Sequence, residues 1–425
     1  EHFALGKPVF RYLGGREGKR EQMKRFVGEL GRSIGDPLTG KVRIANWDEA
    51  LTLLDRSLDA LRGRKDTKAV VILDEFQWMC GGGSELLSDL QRFWDMRWKD
   101  SGRLHLIICG SSISFILGEV LAQSSPLFGR RTRSFELGAF SFRESLGFLP
   151  GKGRMERAES YMIAGGVPKY LEILGAEEPL RRILEREAFS PSGFFFDELR
   201  FVLSDQLKET ERYFLLLKHF ARQPLSVADL GRLTGIATGQ LLHYLERLQL
   251  LGFVSRHIPF GSRTTTKRVR YRLTDYYLRF YFAFIHDQRE RILAEKGNIR
   301  FDEIAAARWD AWLGVAFEQF VRDHARCVAG KLGKGTAILG TGSYWRGGTK
   351  RQRGCQIDLV IESDASNIVL CECKWSKHRI GLESVEELRQ RATLFPNPTG
   401  KSVTLALIAS QGVTEPVLRQ DDVHV

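Results

Sequence analysis

Apolar residues in the first third of the chain follow two rhythms. Three short runs, Lys7–Leu13 (KPVFRYL), Lys68–Leu73 (KAVVIL) and Leu104–Cys109 (LHLIIC), read as strands. Between them apolar positions recur every three or four residues over Glu21–Ile34, Trp47–Leu61 and Ser84–Lys99, which predicts helices. Trp47, Ala50, Leu51, Leu54 and Leu58 share one helical face, and Asp48 and Glu49 lie in the first turn, where the helix dipole favours acids. Alternating strands and helices predict a parallel α/β sheet. From Ser141 the strands stop. Ser141–Leu149 and Met155–Leu174 predict a small helical subdomain, interrupted by Gly165-Gly166-Val167-Pro168. Glu211–Phe220, Ser226–Leu233 and Thr238–Leu251 then predict three helices, ended by Gly252, with strands Phe253–Ile258 and Arg268–Leu273 behind them. The last segment opens with a helix over Trp309–Val328. Strands follow near Ala337–Trp345, Cys355–Glu362, Asn367–Lys374 and Val403–Ala409, with a helix over Leu382–Leu394 before the last. The expected domains are residues 1–140, 141–206, 207–285 and 301–425.

A chain of 425 residues has room for several domains. With 43% hydrophobic and 27% charged residues, it is neither a disordered chain nor a small disulfide scaffold. No apolar run approaches the roughly 18–20 residues of a transmembrane helix, so no membrane is expected. The six cysteines are sparse and mostly inside apolar runs, which predicts reduced thiols and a cytoplasmic protein. Charge changes the picture more. Lys and Arg number 64 against 52 acids, a surplus of +12 that points to nucleic acid or another polyanion as a partner, with a basic but inert surface as the alternative.

The strand Val70-Val71-Ile72-Leu73 ends in Asp74-Glu75. Open parallel sheets bind ligands at the carboxyl ends of their strands. There one carboxylate can hold Mg²⁺ and a second can polarise an attacking water. Asp74 suits the first role and Glu75 the second. The neighbouring strand ends in Cys109-Gly110-Ser111-Ser112, whose hydroxyls can sense a γ-phosphate. Arg130-Arg131 follow in SPLFGRRT, and arginine presented to a neighbouring subunit's phosphate stabilises transition-state charge. A solvated surface pair is the plainer reading of these arginines.

VVILDEFQW, IICGSSISF, SPLFGRRT and GGVPKYLEIL, in this order, resemble the archaeal-type AAA+ ATPases of the signal-transduction branch of P-loop ATPases. The resemblance covers about residues 1–285. It implies ATP and Mg²⁺ as cofactors, Asp74 and Glu75 as the Walker B pair, and Ser111 or Ser112 as the sensor. It further implies Arg130 or Arg131 as an arginine finger between copies of a homo-oligomer. Pro168 matches the lid's Gly-x-Pro element, with Lys169 beside it in reach of a phosphate. The family's GxxxxGK[ST] loop is absent. Gly35–Val42 imitates its spacing, but Val42 stands where Ser or Thr binds Mg²⁺ and no strand leads into it. The economical expectation is a truncated chain that has no measurable ATPase activity by itself.

Three helices followed by a hairpin is the order of a winged helix. Its hairpin carries Arg256, Arg263, Lys267, Arg268, Arg270 and Arg272 and no acid between Ser255 and Thr274. That predicts phosphate contacts on DNA, against the alternative of a spacer packed on protein.

Toward the carboxyl end, Gln356-Ile357-Asp358 precedes Cys371-Glu372-Cys373-Lys374. Residues two apart on a strand share a face, so Glu372 and Lys374 point together while Cys371 and Cys373 face packing. Charges inside an apolar strand are costly unless they serve something. Two carboxylates on adjacent strands can hold Mg²⁺, and a lysine beside them can neutralise phosphoryl charge. The pattern resembles the PD-(D/E)XK nuclease fold, and specifically the domain of unknown function fused to archaeal-type AAA+ ATPases. That resemblance implies Asp358, Glu372 and Lys374 as the core motif and Glu318 as the acid on the first helix. Glu318, Asp358 and Glu372 would be the metal ligands. The whole is then an α/β protein: a parallel-sheet P-loop ATPase core, a helical lid, a winged helix and a restriction-endonuclease-like α/β domain. Its expected function is ATP-regulated DNA processing; the alternative is a signalling or scaffold ATPase whose carboxyl-terminal domains only bind.

Overall fold

A computed structural model describes residues 2–63, 67–81, 83–263, 268–333, 338–349, 353–363 and 366–425. The chain divides into two units, Glu1–Glu136 and Leu137–Val425.

In the first unit three parallel strands, β1 (Val9–Leu13), β2 (Ala69–Asp74) and β3 (Leu104–Ile108), lie side by side in that order. The register sets Leu13 against Asp74 and Leu73 against Ile108, so the strand ends meet at one edge. Helix Trp47–Arg62 shows how local chemistry fixes an element. The Asn46 side chain accepts the Glu49 N–H at 2.9 Å and starts the helix, and Gly63, at φ 65°, ends it. Its Leu51, Leu54 and Leu58 are buried, each burial worth roughly 1.5–3 kcal/mol. Asp55 on the same helix is buried too. Burial would raise its pKa, but Trp98 Nε1 at 2.8 Å, Arg97 at 3.0 Å and Arg103 at 2.6 Å hold it below the usual carboxylate range.

The second unit opens with the short helix Phe142–Ser145, and helices Arg154–Ala164 and Pro168–Leu174 follow, separated by Gly165 and Gly166 at positive φ. After helices Leu180–Glu187 and Phe194–Gln206 come Thr210–Arg222, Val227–Thr234 and Thr238–Leu250, then the antiparallel pair β4 (Val254–His257) and β5 (Arg270–Leu273). A five-stranded sheet, ordered β10-β9-β8-β7-β6, closes the chain: β6 Gly340–Arg346, β7 Cys355–Glu362, β8 Asn367–Lys374, β9 Ser402–Ala409 and β10 Val423–His424. One hydrophobic core runs from Leu149 through Tyr161, Phe195, Leu245 and Phe317 to Cys371, joining helical and sheet parts. A second, on the other face of the sheet, gathers Ile357, Val360, Leu370, Val385 and Leu388.

The helix expected over Trp309–Val328 is two helices, Ala306–Asp323 and Ala325–Lys331. His324 makes the break: its ring Nδ1 is 2.8 Å from the Phe320 carbonyl oxygen that also receives the His324 N–H. Among the described residues no helix is long and apolar enough to cross a membrane.

Candidate functional site

Asp74 ends β2, and Glu75 directly follows in a left-handed conformation, φ 50° and ψ 45°. That backbone costs a non-glycine residue about 1–2 kcal/mol. It aims the two carboxylates differently. Asp74 Oδ2 pairs with Arg11 Nη2 from β1 at 2.6 Å. Glu75 Oε2 accepts the Ser111 hydroxyl at 3.0 Å and the Gln77 amide, which also donates to Ser111 Oγ at 3.1 Å. Of the two candidate sensors, Ser111 therefore joins the acid pair. Ser112 instead caps the next turn by accepting the Phe115 N–H at 3.4 Å. Gly14, at the end of β1, donates its N–H to the Asp74 carbonyl at 2.8 Å. A Cβ there would stand 2.6 Å from the Glu75 carbonyl oxygen, so only glycine fits.

Arg130 and Arg131 are elsewhere in this unit. Both line a cavity of about 660 Å³ with Lys68, Gly102 and Leu104, at the amino ends of β2 and β3. Arg130 is occupied by Asp95, at 2.6 and 2.9 Å, and by the Pro126 carbonyl at 2.9 Å. The length of β2, roughly 3.3 Å per residue, separates them from Asp74 and Glu75. In the second unit Pro168 is the first residue of its helix, and Lys169 Nζ pairs with Glu172 at 3.1 Å.

The hairpin departs from expectation in one residue. Arg256, Arg263, Arg268 and Arg270 are exposed; Lys267 lies outside the described residues. Arg272 turns inward, with its Nε closed off from solvent and without a hydrogen-bond partner. Burial, then the charge of Arg322, pushes its guanidinium down to about 10. The charges that reach it belong to helices Ala306–Asp323 and Tyr276–Phe280, and the hairpin itself packs on β6. His257 stacks on Trp345, ring centroids 4.3 Å apart, its Nε2 lies 2.8 Å from Ser343 Oγ, and the Phe260 N–H donates to the Ser343 carbonyl at 2.8 Å. Burial, then the charge of Arg272, pushes the His257 imidazole down to about 3. Arg270, on the same face of β5, stays exposed.

In the sheet, Glu372 and Lys374 share a face and pair at 2.9 Å, while Cys371 and Cys373 sit in the core on the other side. Glu372 is almost fully buried and also receives Arg391 from helix Leu382–Leu394. Lys374 reaches Glu387 at 3.5 Å. Burial would lower the Lys374 pKa, but Glu372 and then Glu387 carry it above the ordinary lysine value. Asp358 is turned differently. The β6–β7 register gains one residue between Gly342 opposite Val360 and Tyr344 opposite Ile357, a bulge at Asp358 and Leu359. Asp358 Oδ2 consequently accepts the Cys373 N–H at 3.0 Å, in the seam between β7 and β8. Glu318 faces it from helix Ala306–Asp323, where Arg322 bridges Glu318 at 3.4 Å and the Asp358 carbonyl at 3.3 Å. Burial, then the Asp358 charge, raises the pKa of both Glu318 and Glu372.

Among the described residues no three acids, histidines or cysteines close around one point as metal ligands. The bulge and the bonds of Glu372 to Arg391 and Lys374 explain this. Sequence reasoning missed Arg11, Gln77, Arg322 and Arg391, since a donor on a helix or strand shows its carboxylate only when the chain has folded.

Residues 4–174 match a family of ATPase domains found predominantly in Archaea, and residues 281–389 match a family of archaeal and bacterial proteins of unknown function. The chain carries a domain of each, the archaeal-type ATPase domain first and the domain of unknown function behind it. An uncharacterized protein of Methanocaldococcus jannaschii is 29% identical over 308 residues, covering 72% of this chain and 67% of the relative. A second from that organism is 40% identical over 93 residues, 22% of this chain and 85% of the relative. Among solved structures a Walker-type ATPase of Pyrococcus abyssi is similar at 19% identity and a TM-score of 0.44, over 65% of this chain and 91% of that one.

Proposed function

We propose that the chain serves ATP-regulated DNA processing, with a Mg²⁺-dependent phosphodiester-cleaving centre at Asp358, Glu372 and Lys374. In this reading Asp74 and Glu75, with Ser111, handle Mg²⁺ and water at ATP. Because Arg130 and Arg131 sit at the opposite end of β2, either could act only on a phosphate held by another copy. The helix-rich segment 207–285 is read as a winged helix whose exposed Arg256, Arg263, Arg268 and Arg270 meet DNA phosphates.

One observation carries the reading of the cleavage centre. Glu318 and Glu372, both hemmed in, are raised in pKa by burial and then by the charge of Asp358. Carboxylates crowded in this way favour a cation among them. Mg²⁺ commonly takes one or two protein carboxylates and keeps several waters, so it does not need a preformed three-ligand set. Asp358 and Glu372 would hold the ion, and Glu318 would anchor a water. Bound there, Mg²⁺ would supply Lewis-acid polarisation of a phosphoryl oxygen. Lys374, fixed by Glu372, is placed to neutralise charge on that phosphoryl group.

The bonds of Arg391 and Lys374 to Glu372 favour a second reading, a scaffold ATPase whose carboxyl-terminal part only binds, because they neutralise Glu372 without metal. Cleavage of branched, linear and single-stranded DNA with Mg²⁺ or Mn²⁺ separates the two. The cleavage reading expects cutting that disappears in Asp358→Ala and in Lys374→Ala. Cutting that survives Asp358→Ala, or no cutting of any substrate, removes it.

A further inference from the structure

We propose that a cleft in the second unit, between helix Thr210–Arg222 and the helical stretch Tyr276–Gln288, is a binding site for a phosphate group. It encloses about 260 Å³ and is lined by Lys218, Arg222, His286, Asp287, Arg308 and Phe282, among others. The proposal rests on neither the ATP site nor the cleavage centre.

Charge balance is the first argument. Three fixed cations converge from two different helices against one acid, Asp287. Among the described residues none of the three forms an ion pair. The neighbouring Arg289, by contrast, pairs with Asp197 at 2.5 Å. Lys218 and Arg222 stand four residues apart on one helix, a like-charge spacing that disfavours the helix. Arg308, from helix Ala306–Asp323, adds to that repulsion. Asp287 and the Phe284 ring, 5.7 Å from the Arg308 guanidinium, offset part of it, and an anion in the cleft would offset more.

Shape and chemistry supply the second argument. The floor is rigid: Phe214 and Phe282 pack edgewise on His286, with centroids 5.1 and 5.5 Å away. Burial, then the Lys218 charge, lowers the His286 pKa, so at neutral pH its uncharged ring can donate one hydrogen bond. The rim is open, because Arg222 and Arg308 are exposed. Two guanidinium forks, an ammonium and an imidazole N–H match the oxygens of a phosphate better than those of a single carboxylate. The volume is below the ~300–1,000 Å³ of sites that enclose whole drug-sized ligands. It holds a phosphate group with its water shell, while any larger remainder of the ligand would project past the rim.

The phosphate could belong to a small molecule or to a nucleic-acid backbone, and calorimetry on the full chain at low salt distinguishes them. The probes are inorganic phosphate and a short single-stranded oligonucleotide. Saturable binding of inorganic phosphate, weakened about tenfold or more in Arg222→Gln/Arg308→Gln, assigns a small-molecule phosphate; losing two charge-assisted hydrogen bonds accounts for that factor. Oligonucleotide binding that needs the same two arginines, without binding of free phosphate, assigns the backbone. Both residues are exposed, so the double variant should fold, and Arg308→Lys should recover part of the affinity. Binding unchanged by the double variant, or no binding of either probe, overturns the proposal.

Discussion

Replacing Arg272 with Met should make the second unit more stable. Arg272 is a cation turned into protein with no acid of its own. The carboxylate whose charge reaches it, Asp323, is already held by the Tyr276 hydroxyl at 2.6 Å, and Arg279 and Arg322 add like charge. Its guanidinium falls to about 10, two to three powers of ten below the ordinary value. At 1.36 kcal/mol for each power, folding forfeits roughly 3 kcal/mol to keep it charged. A base whose pKa is lowered by folding destabilises fully below its folded value, so the whole penalty applies at pH 7. It fades only as pH rises through about 10. Met keeps most of the apolar stem and discards the charge, and replacing buried ionic groups by apolar ones of similar size has gained about 1–4 kcal/mol elsewhere. A net gain of about 1–2 kcal/mol should raise the urea midpoint by roughly 0.5–1 M, with an unchanged slope. Hydrogen exchange at the Arg270–Leu273 amides identifies the transition that belongs to this unit. A midpoint lowered by a similar amount would show that Arg272 is held by a favourable pairing, and the charge argument would be wrong.

Other outcomes follow from the same geometry. Burial raises the Glu159 carboxyl to about 7, against a hydrogen bond from Trp309 that lowers it. An acid raised in the fold contributes stability below its unfolded value that is lost as pH climbs through the folded one. Glu159→Gln should therefore flatten the fall in second-unit stability between about pH 4.5 and 7.5, and an unaltered pH profile would count against this. Neutralising Arg268 and Arg270 should weaken binding to all DNA sequences alike and lower the salt slope by about one for each phosphate no longer neutralised, whereas Arg272→Met should leave the slope as it was. In a protein that carries a GxxxxGK[ST] segment ahead of these motifs, Glu75→Gln should retain nucleotide and lose turnover; undiminished hydrolysis would remove Glu75 from the mechanism.

Apart from β10, which the pattern did not reveal, the strands were legible to within a few residues, because apolar runs bounded by glycine and charge have few other ways to be buried. β7, β8 and helix Leu382–Leu394 begin and end where the pattern puts them. The Asp74-Glu75 pair was legible for the same reason. The left-handed turn at Glu75 was not: it depends on Gly14 of another strand lying against the Glu75 carbonyl. The inward turn of Arg272 was not legible because alternation along a strand separates two faces without saying what covers the second. Asp358 was found, but not its direction, since a bulge against β6 is a property of the pair of strands. The break at His324 was hidden for a different reason, an imidazole competing for a main-chain oxygen inside an otherwise regular apolar repeat.

The packing of the hairpin on β6 has a consequence for assembly. An open five-stranded sheet has two borders, and an unpaired border is a template on which another chain can add a strand. Here one border ends in β10, only two residues long. At the other, the Phe260 N–H donates to the Ser343 carbonyl, and the Phe260 ring lies over Gly340 and Gly342, beside a break in register. Among the described residues neither border offers a long, regular row of free main-chain groups. Copies of this chain that associate should therefore not do so by adding a strand to this sheet, which stays a closed unit rather than a seed for its own extension.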